Sequence, residues 1–188
     1  MMNNIAAIDS FQPQEKDKFF FDTNIWMYLY CPMGGHNRSI IKKYDAFLKK
    51  VIQARSSIYI SSLVLSEFFN AYTRLEFNIL KGKEPTKYHD FKKDFRGTSD
   101  YKKLVLDIKT TVESYILKLA KRLDDNFSSI DLDDLFEDIE KSDFNDNYCL
   151  ILVAGENIKV VTNDYDFVST KKIKVPILTA NDKLLKGT

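Results

Sequence analysis

Four short apolar runs alternate with long stretches of helical periodicity, and that alternation narrows the fold more than any other feature of the chain. The runs are KFFF at residues 18–21, SIYI at 57–60, IKVV at 158–161 and VPIL at 175–178. Between them lie helical patterns over residues 39–54, 62–81, 101–123, 132–141 and 145–156, with Gly82 and Gly155 as stop signals for the second and the last. Strands separated by crossovers of this length pair in parallel, and a parallel sheet is covered by helices on both faces. Pro176 points to an edge position for the fourth run, since proline gives no N–H to a ladder. The 188 residues suit one domain, and a hydrophobic content of 44% supplies its core.

Net charge is only +1, so the total steers the chain to no charged partner and local runs carry the information. Residues 131–146 hold eight acids against Lys141, a net of −7. Residues 81–103 hold eight bases against four acids, a net of +4, with Tyr88, Phe91, Phe95 and Tyr101 interleaved; residues 171–188 are also net +4. A solvated helix face is the plain reading of each run, and phosphate contact is the sharper one for the basic runs if an acidic site lies nearby. Cys31 and Cys149 are far from any CxxC spacing, which argues against zinc ribbons and disulfide scaffolds and for a reducing, cytoplasmic setting. No run of about 18 uncharged apolar residues occurs, nor a basic leader followed by an apolar run, so a soluble, non-exported protein without membrane contact is expected.

Several acids stand where chemistry is done. Asp22 closes KFFFD, and ligands of parallel α/β sheets bind beyond the carboxyl ends of the strands. An Asx turn or a helix N-cap is its plainer reading. Glu67 lies in SSLVLSEFFNAYTRL and shares a helix face with Leu63, Val64, Asn70 and Ala71, where a lone carboxylate is costly. Arg74, two turns on, is poorly placed to pair with it. Asp143 reads as the N-cap of the helix in SDFNDNYCLILVAGEN, and Asp146 as a carboxylate of its first turn. Asp164 and Asp166 follow IKVV in TNDYDF, so a second strand ends in acid at the same sheet edge. Like charges gathered on one rim need a counter-charge, and an oxygen-only donor set suits Mg2+ or Mn2+. Such an ion activates water and neutralises phosphoryl oxygens, which makes phosphodiester hydrolysis the natural reaction. His36 in PMGGHN and His89 in KYHDF are remote from these motifs in sequence and read as loop or surface residues.

In that order, FFFDTNIW, SSLVLSEFFNA and DFNDNYCLILVAGENIKVVTNDYDF resemble the PIN domain family of metal-dependent nucleases, some of whose members are toxins of toxin–antitoxin pairs. The resemblance covers residues 18–72 and 143–178. It implies an α/β/α sandwich around a central parallel sheet of four or five strands. It also implies that Asp22, Glu67, Asp146 and Asp164 are catalytic metal ligands, with Asp166 a more variable one. Asn24, Thr162 and Asp143 would orient those carboxylates or a bound water. RNA is the implied substrate and Mg2+ or Mn2+ the implied cofactor; an antitoxin protein and a second copy of the chain are candidate partners.

Residues 78–140 fall outside the resemblance and are expected to form a helical insertion. There Lys92, Lys93 and Arg96 would contact phosphate while the neighbouring rings stack on bases. Two other families that place an Asp after a strand fit less well. A haloacid-dehalogenase phosphatase needs an acid where Asn24 stands, and a metal-dependent adhesion site needs D-x-S-x-S where this chain has Asp22, Asn24 and Trp26. The alternative from a different class is a PIN-like module that binds RNA or protein with little or no catalysis.

Overall fold

The computed structural model describes residues 5–168 and 173–186. Its strands are β1 (Ile5–Ala7), β2 (Lys18–Phe21), β3 (Ser57–Ser61), β4 (Ala120–Leu123), β5 (Lys159–Val161) and β6 (Ile177–Thr179). Its helices are α1 (Thr23–Tyr30), α2 (Arg38–Gln53), α3 (Ser62–Lys83), α4 (Ser99–Thr111), α5 (Leu117–Leu119), α6 (Leu132–Leu135), α7 (Phe144–Ala154) and α8 (Asp182–Lys186). The strands form one wholly parallel sheet in the order β1-β6-β5-β2-β3-β4. β2 sits inside it with Phe19, Phe20 and Phe21 all at 0% exposure, as a strand covered on both faces must be. Phe47 of α2 meets Phe19 edge-on at 5.6 Å.

The sheet has six strands rather than four or five, because β1 and β4 lie outside the apolar runs. Ala-Lys-Arg-Leu continues the helical pattern of residues 101–123, yet it pairs in register with β3 from Ile58↔Ala120 to Ser61↔Leu123. Tertiary pairing overrides helix propensity there. The expected edge position of the fourth run is also corrected. β6 lies between β1 and β5, and Pro176 immediately precedes it, where no N–H is needed; its carbonyl accepts from the Val160 N–H at 2.9 Å. Gly82 lies inside the last turn of α3, which Glu84 caps, whereas Gly155 does cap α7. The expected helix at 132–141 is confined to α6 and continues as turns. Residues 78–140 thus contribute an edge strand to the sheet as well as α4.

The basic segment's rings are not free to stack on bases. Tyr88 and Phe95 are fully buried and Phe91 nearly so; Phe91 meets Phe77 edge-on at 5.5 Å, and Phe95 meets Tyr88 and Tyr101 edge-on at 5.9 and 5.4 Å. They hold this segment to α3. At the amino edge of the sheet, buried Asp17 pairs with Lys159 at 2.9 Å and accepts from the Gln14 N–H at 2.8 Å. Cys31 and Cys149 are buried free thiols. No helix among the described residues is long and apolar enough to cross a membrane.

From β2 the chain steps outward through β3 and β4, then returns to place β5 on the other side of β2. Connections that leave in opposite directions open a crevice beyond the carboxyl ends of these two strands. Pairing runs on into that crevice, with the Asp22 N–H donating to Val161 at 3.1 Å and the Thr162 N–H to Leu178 at 3.1 Å.

Candidate active site

Asp22, Glu67, Asp143, Asp146, Asp164 and Asp166 all line one cleft of about 440 Å3 at the crevice between β2 and β5. Asp22 arrives on the end of β2, and Asp164 and Asp166 follow β5. Glu67 and Ala71, one turn apart on α3, both face the cleft. Asp143 caps α7, accepting from the Asn145 N–H at 2.8 Å, and Asp146 lies in the first turn of that helix. Arg74 does not pair with Glu67; its guanidinium lies over the Phe91 ring at 4.1 Å. Lys92, Lys93 and Arg96 are exposed and none lines the cleft.

Asp22 caps a helix and also lines the cleft. It is the N-cap of α1, with Oδ1 accepting from the Thr23 N–H at 2.6 Å, and it is a buried cleft residue. Its Oδ2 accepts from the Thr162 hydroxyl at 2.7 Å and from the Asn24 amide. Glu67 accepts from the Thr23 hydroxyl at 2.7 Å and from the Asn145 amide. Asp164 accepts from the Asp166 N–H at 3.1 Å. Asp146 accepts no hydrogen bond from any described residue.

Behind these groups, Tyr44 is fully buried and donates to the Thr162 carbonyl at 3.0 Å while accepting from the Ala180 N–H at 3.0 Å. Burial pushes its hydroxyl up to about 12. Asn163 accepts from the Tyr44 hydroxyl at 3.0 Å, and its N–H donates to the Asn24 side chain at 3.2 Å. The loop after β5 is therefore held from both sides.

The electrostatics follow from burial and crowding. Burial pushes the Asp22 carboxyl up to about 7 against the pull of Thr162 and Thr23, and the charges of Glu67 and Asp164 add to the rise. Burial likewise pushes Asp146 up to about 8, helped by Asp22, Asp164, Asp143 and Glu67. A partly buried carboxylate with no donor among the described residues, faced by four others, is short of positive charge. In composition the donor set fits a hard divalent cation: it is all oxygen, and no described residue donates to Asp146. In distance it falls short, since no three acids among the described residues stand close enough to hold one ion.

Besides Tyr44 and Asn163, three contributors were not foreseen. Thr23 and Asn145, neighbours of Asp22 and Asp146 in DTN and FND, both bind Glu67, which only the approach of α3 brings near them. His36, read as a loop or surface residue, lines the cleft with its ring edge-on to Tyr28 at 4.7 Å. The turn Pro32–Gly34 folds it back over α1 despite its distance from the acidic motifs in sequence.

The sequence matches the PIN domain family over residues 19–173. No curated protein matches it significantly. Among solved structures the chain is similar to one in the crystal structure of VapBC2 from Rickettsia felis bound to a DNA fragment from their promoter. The TM-score is 0.51 at 16% sequence identity, over 86% of this chain and 98% of that one. At that identity the likeness speaks for the fold.

Proposed function

The chain belongs to the PIN domain family, and from that membership we propose that it is a divalent-metal-dependent endoribonuclease hydrolysing RNA phosphodiester bonds in the acidic cleft. The observation that carries this reading is the convergence of Asp22, Glu67, Asp146 and Asp164 at the diverging ends of β2 and β5. These four would hold Mg2+ or Mn2+, with Asp166 as a further ligand. When bound, such an ion supplies an activated water and neutralises charge on the phosphoryl oxygens.

The chain's own side chains set the geometry. Thr162 and Asn24 fix the rotamer of Asp22, and Thr23 and Asn145 fix that of Glu67, so each carboxylate presents defined lone pairs. Burial and the neighbouring acids push Asp146 up to about 8, so a cation taking this carboxylate competes with a proton. Lys92, Lys93 and Arg96 would contact phosphates further along the strand. By likeness to the VapBC2 complex, we extend the proposal to a toxin of a toxin–antitoxin pair with an antitoxin protein as partner; a homodimer is part of the proposal without support from that likeness.

Purified protein offered structured and single-stranded RNAs should cut them in Mg2+ or Mn2+ and not in EDTA. Asp146→Asn should slow cutting about 100-fold or more, whereas Asp143→Asn should stay within about tenfold, because Asn caps a helix as well as Asp does. A second reading is a module that binds RNA or protein with little or no catalysis, and the lack of any three acids placed to hold one ion among the described residues favours it. Absence of metal-dependent cutting on every RNA would select it.

A further inference from the structure

A second pocket, of about 470 Å3, adjoins the acidic cleft and shares Tyr28 and His36 with it. Rings make its wall. Tyr115 is 55% exposed and stacks on Tyr30 at 5.9 Å and 27°, and Tyr30 stacks in turn on fully buried Trp26 at 6.0 Å and 26°. A tyrosine backed by two rings and open to solvent is a stacking platform that loses little freedom when a ligand lands on it.

The shared wall is equally fixed. The Tyr28 hydroxyl accepts from the Asn163 amide at 3.3 Å, so the loop that carries Asp164 also sets this side of the pocket. The PMGGHN loop is shaped to lay His36 against it. A Cβ on Gly34 would fall 2.1 Å from His36 Nε2, and Gly35 adopts the left-handed φ of 57°. Arg38, also on the wall, is exposed and pairs with no carboxylate among the described residues.

Open ring faces, a guanidinium with no carboxylate partner among the described residues and a wall shared with the acids suit one ligand chemistry. An unpaired base can give its face to a ring, a duplex base cannot, and the guanidinium meets the adjoining phosphate. We propose that this pocket is a nucleobase subsite, receiving one unpaired base of the strand whose phosphodiester lies over the carboxylates. It restricts binding to single-stranded or looped RNA. The inference rests on the reading of the cleft as an RNA site, and the test separates the two.

Trp26 is the sole tryptophan and lies two rings behind the pocket surface, so stacking on Tyr115 should change its fluorescence. The probes are a five-nucleotide oligoadenylate RNA, an abasic ribose-phosphate strand of equal length and the matching duplex, each carrying a 5′-fluorescein whose anisotropy reads binding whether or not a base stacks. They are titrated into the Asp146→Asn protein without divalent ions. Oligoadenylate should bind saturably, and the other two at least about fivefold more weakly. Adding Tyr115→Ala should bring oligoadenylate affinity down to that of the abasic strand and leave the abasic strand unaffected; Tyr115→Phe should retain it. Equal affinity for the two strands, no effect of Tyr115→Ala, or no saturable binding overturns the subsite. Cutting by the unsubstituted protein in Mg2+ is read in parallel. Cutting with a silent Tyr115→Ala refutes the pocket and spares the nuclease, whereas base-dependent binding without cutting spares the pocket and refutes the nuclease.

Discussion

The Thr162 hydroxyl donates to Asp22 at 2.7 Å and accepts from the Asp164 N–H at 2.9 Å and the Asn24 amide at 3.2 Å, so one buried oxygen ties the two strand ends together. Thr162→Val keeps the volume and removes all three bonds. Cutting should fall by about 10–100-fold, the usual effect of losing an orienting partner, and stability by about 1–3 kcal/mol for the donors and acceptors left unpaired. Thr162→Ser should restore most of both. Cleavage rates and thermal melting of the two variants decide it, and an unchanged rate in Thr162→Val would show that the hydroxyl only packs. Single residues were legible where local pattern fixes their surroundings: a strand end for Asp22 and an apolar helix face for Glu67. Asp22 also shows that a cap and a cleft carboxylate are compatible roles. Thr23, Asn145 and His36 could not be read, since each acquires its role from an element distant in the chain.

Among the elements, α7 does more than present Asp146. The next residue, Asn147, is fully buried and donates to the carbonyls of Leu135 at 3.2 Å and Glu137 at 3.1 Å, fastening the acidic stretch after α6 to the helix. Asn147→Ala should cost about 1–3 kcal/mol, because two buried carbonyls lose their donor. It should also speed protease cleavage between residues 131 and 141 ahead of global unfolding. A melting temperature and proteolysis pattern like those of the parent would refute that role. The central strands were legible because apolar runs between helical stretches are the signature of a sheet covered on both faces. β4 was not, its four residues being ordinary helix formers that only the exposed ladder of β3 draws into a strand. α1 was not, being eight residues long with no polar face to set a period.

At the scale of the molecule, the cleft should dominate the pH dependence. The folded-state values of about 7 for Asp22 and about 8 for Asp146 lie above the ordinary 3.8, so folding favours their protonated forms. Their contribution is complete below 3.8 and is lost as pH rises through the folded values. Asp17 runs the other way: burial raises it, but the Lys159 hydrogen bond and the Gln14 N–H outweigh that and hold it low, so its contribution is lost only in acid. Between roughly pH 5 and 8 in EDTA the melting temperature should therefore fall, by about 2–4 °C for each kcal/mol lost in a chain of this size. Saturating Mg2+ should remove the fall, because a cation takes the deprotonated carboxylates. A melting temperature that climbs over this interval in EDTA would contradict the crowding. The far end of the sheet behaves differently again. β1 is an edge strand of three residues held to β6, from Ile5↔Ile177 to Ala7↔Thr179, so its ladder joins residues from opposite ends of the described chain. Closing so long a loop for so few hydrogen bonds is slow and weakly rewarded. In kinetic terms β1 should dock last and open first, and its amides should exchange with solvent while those of β2 and β5, beneath the carboxylates, are still protected.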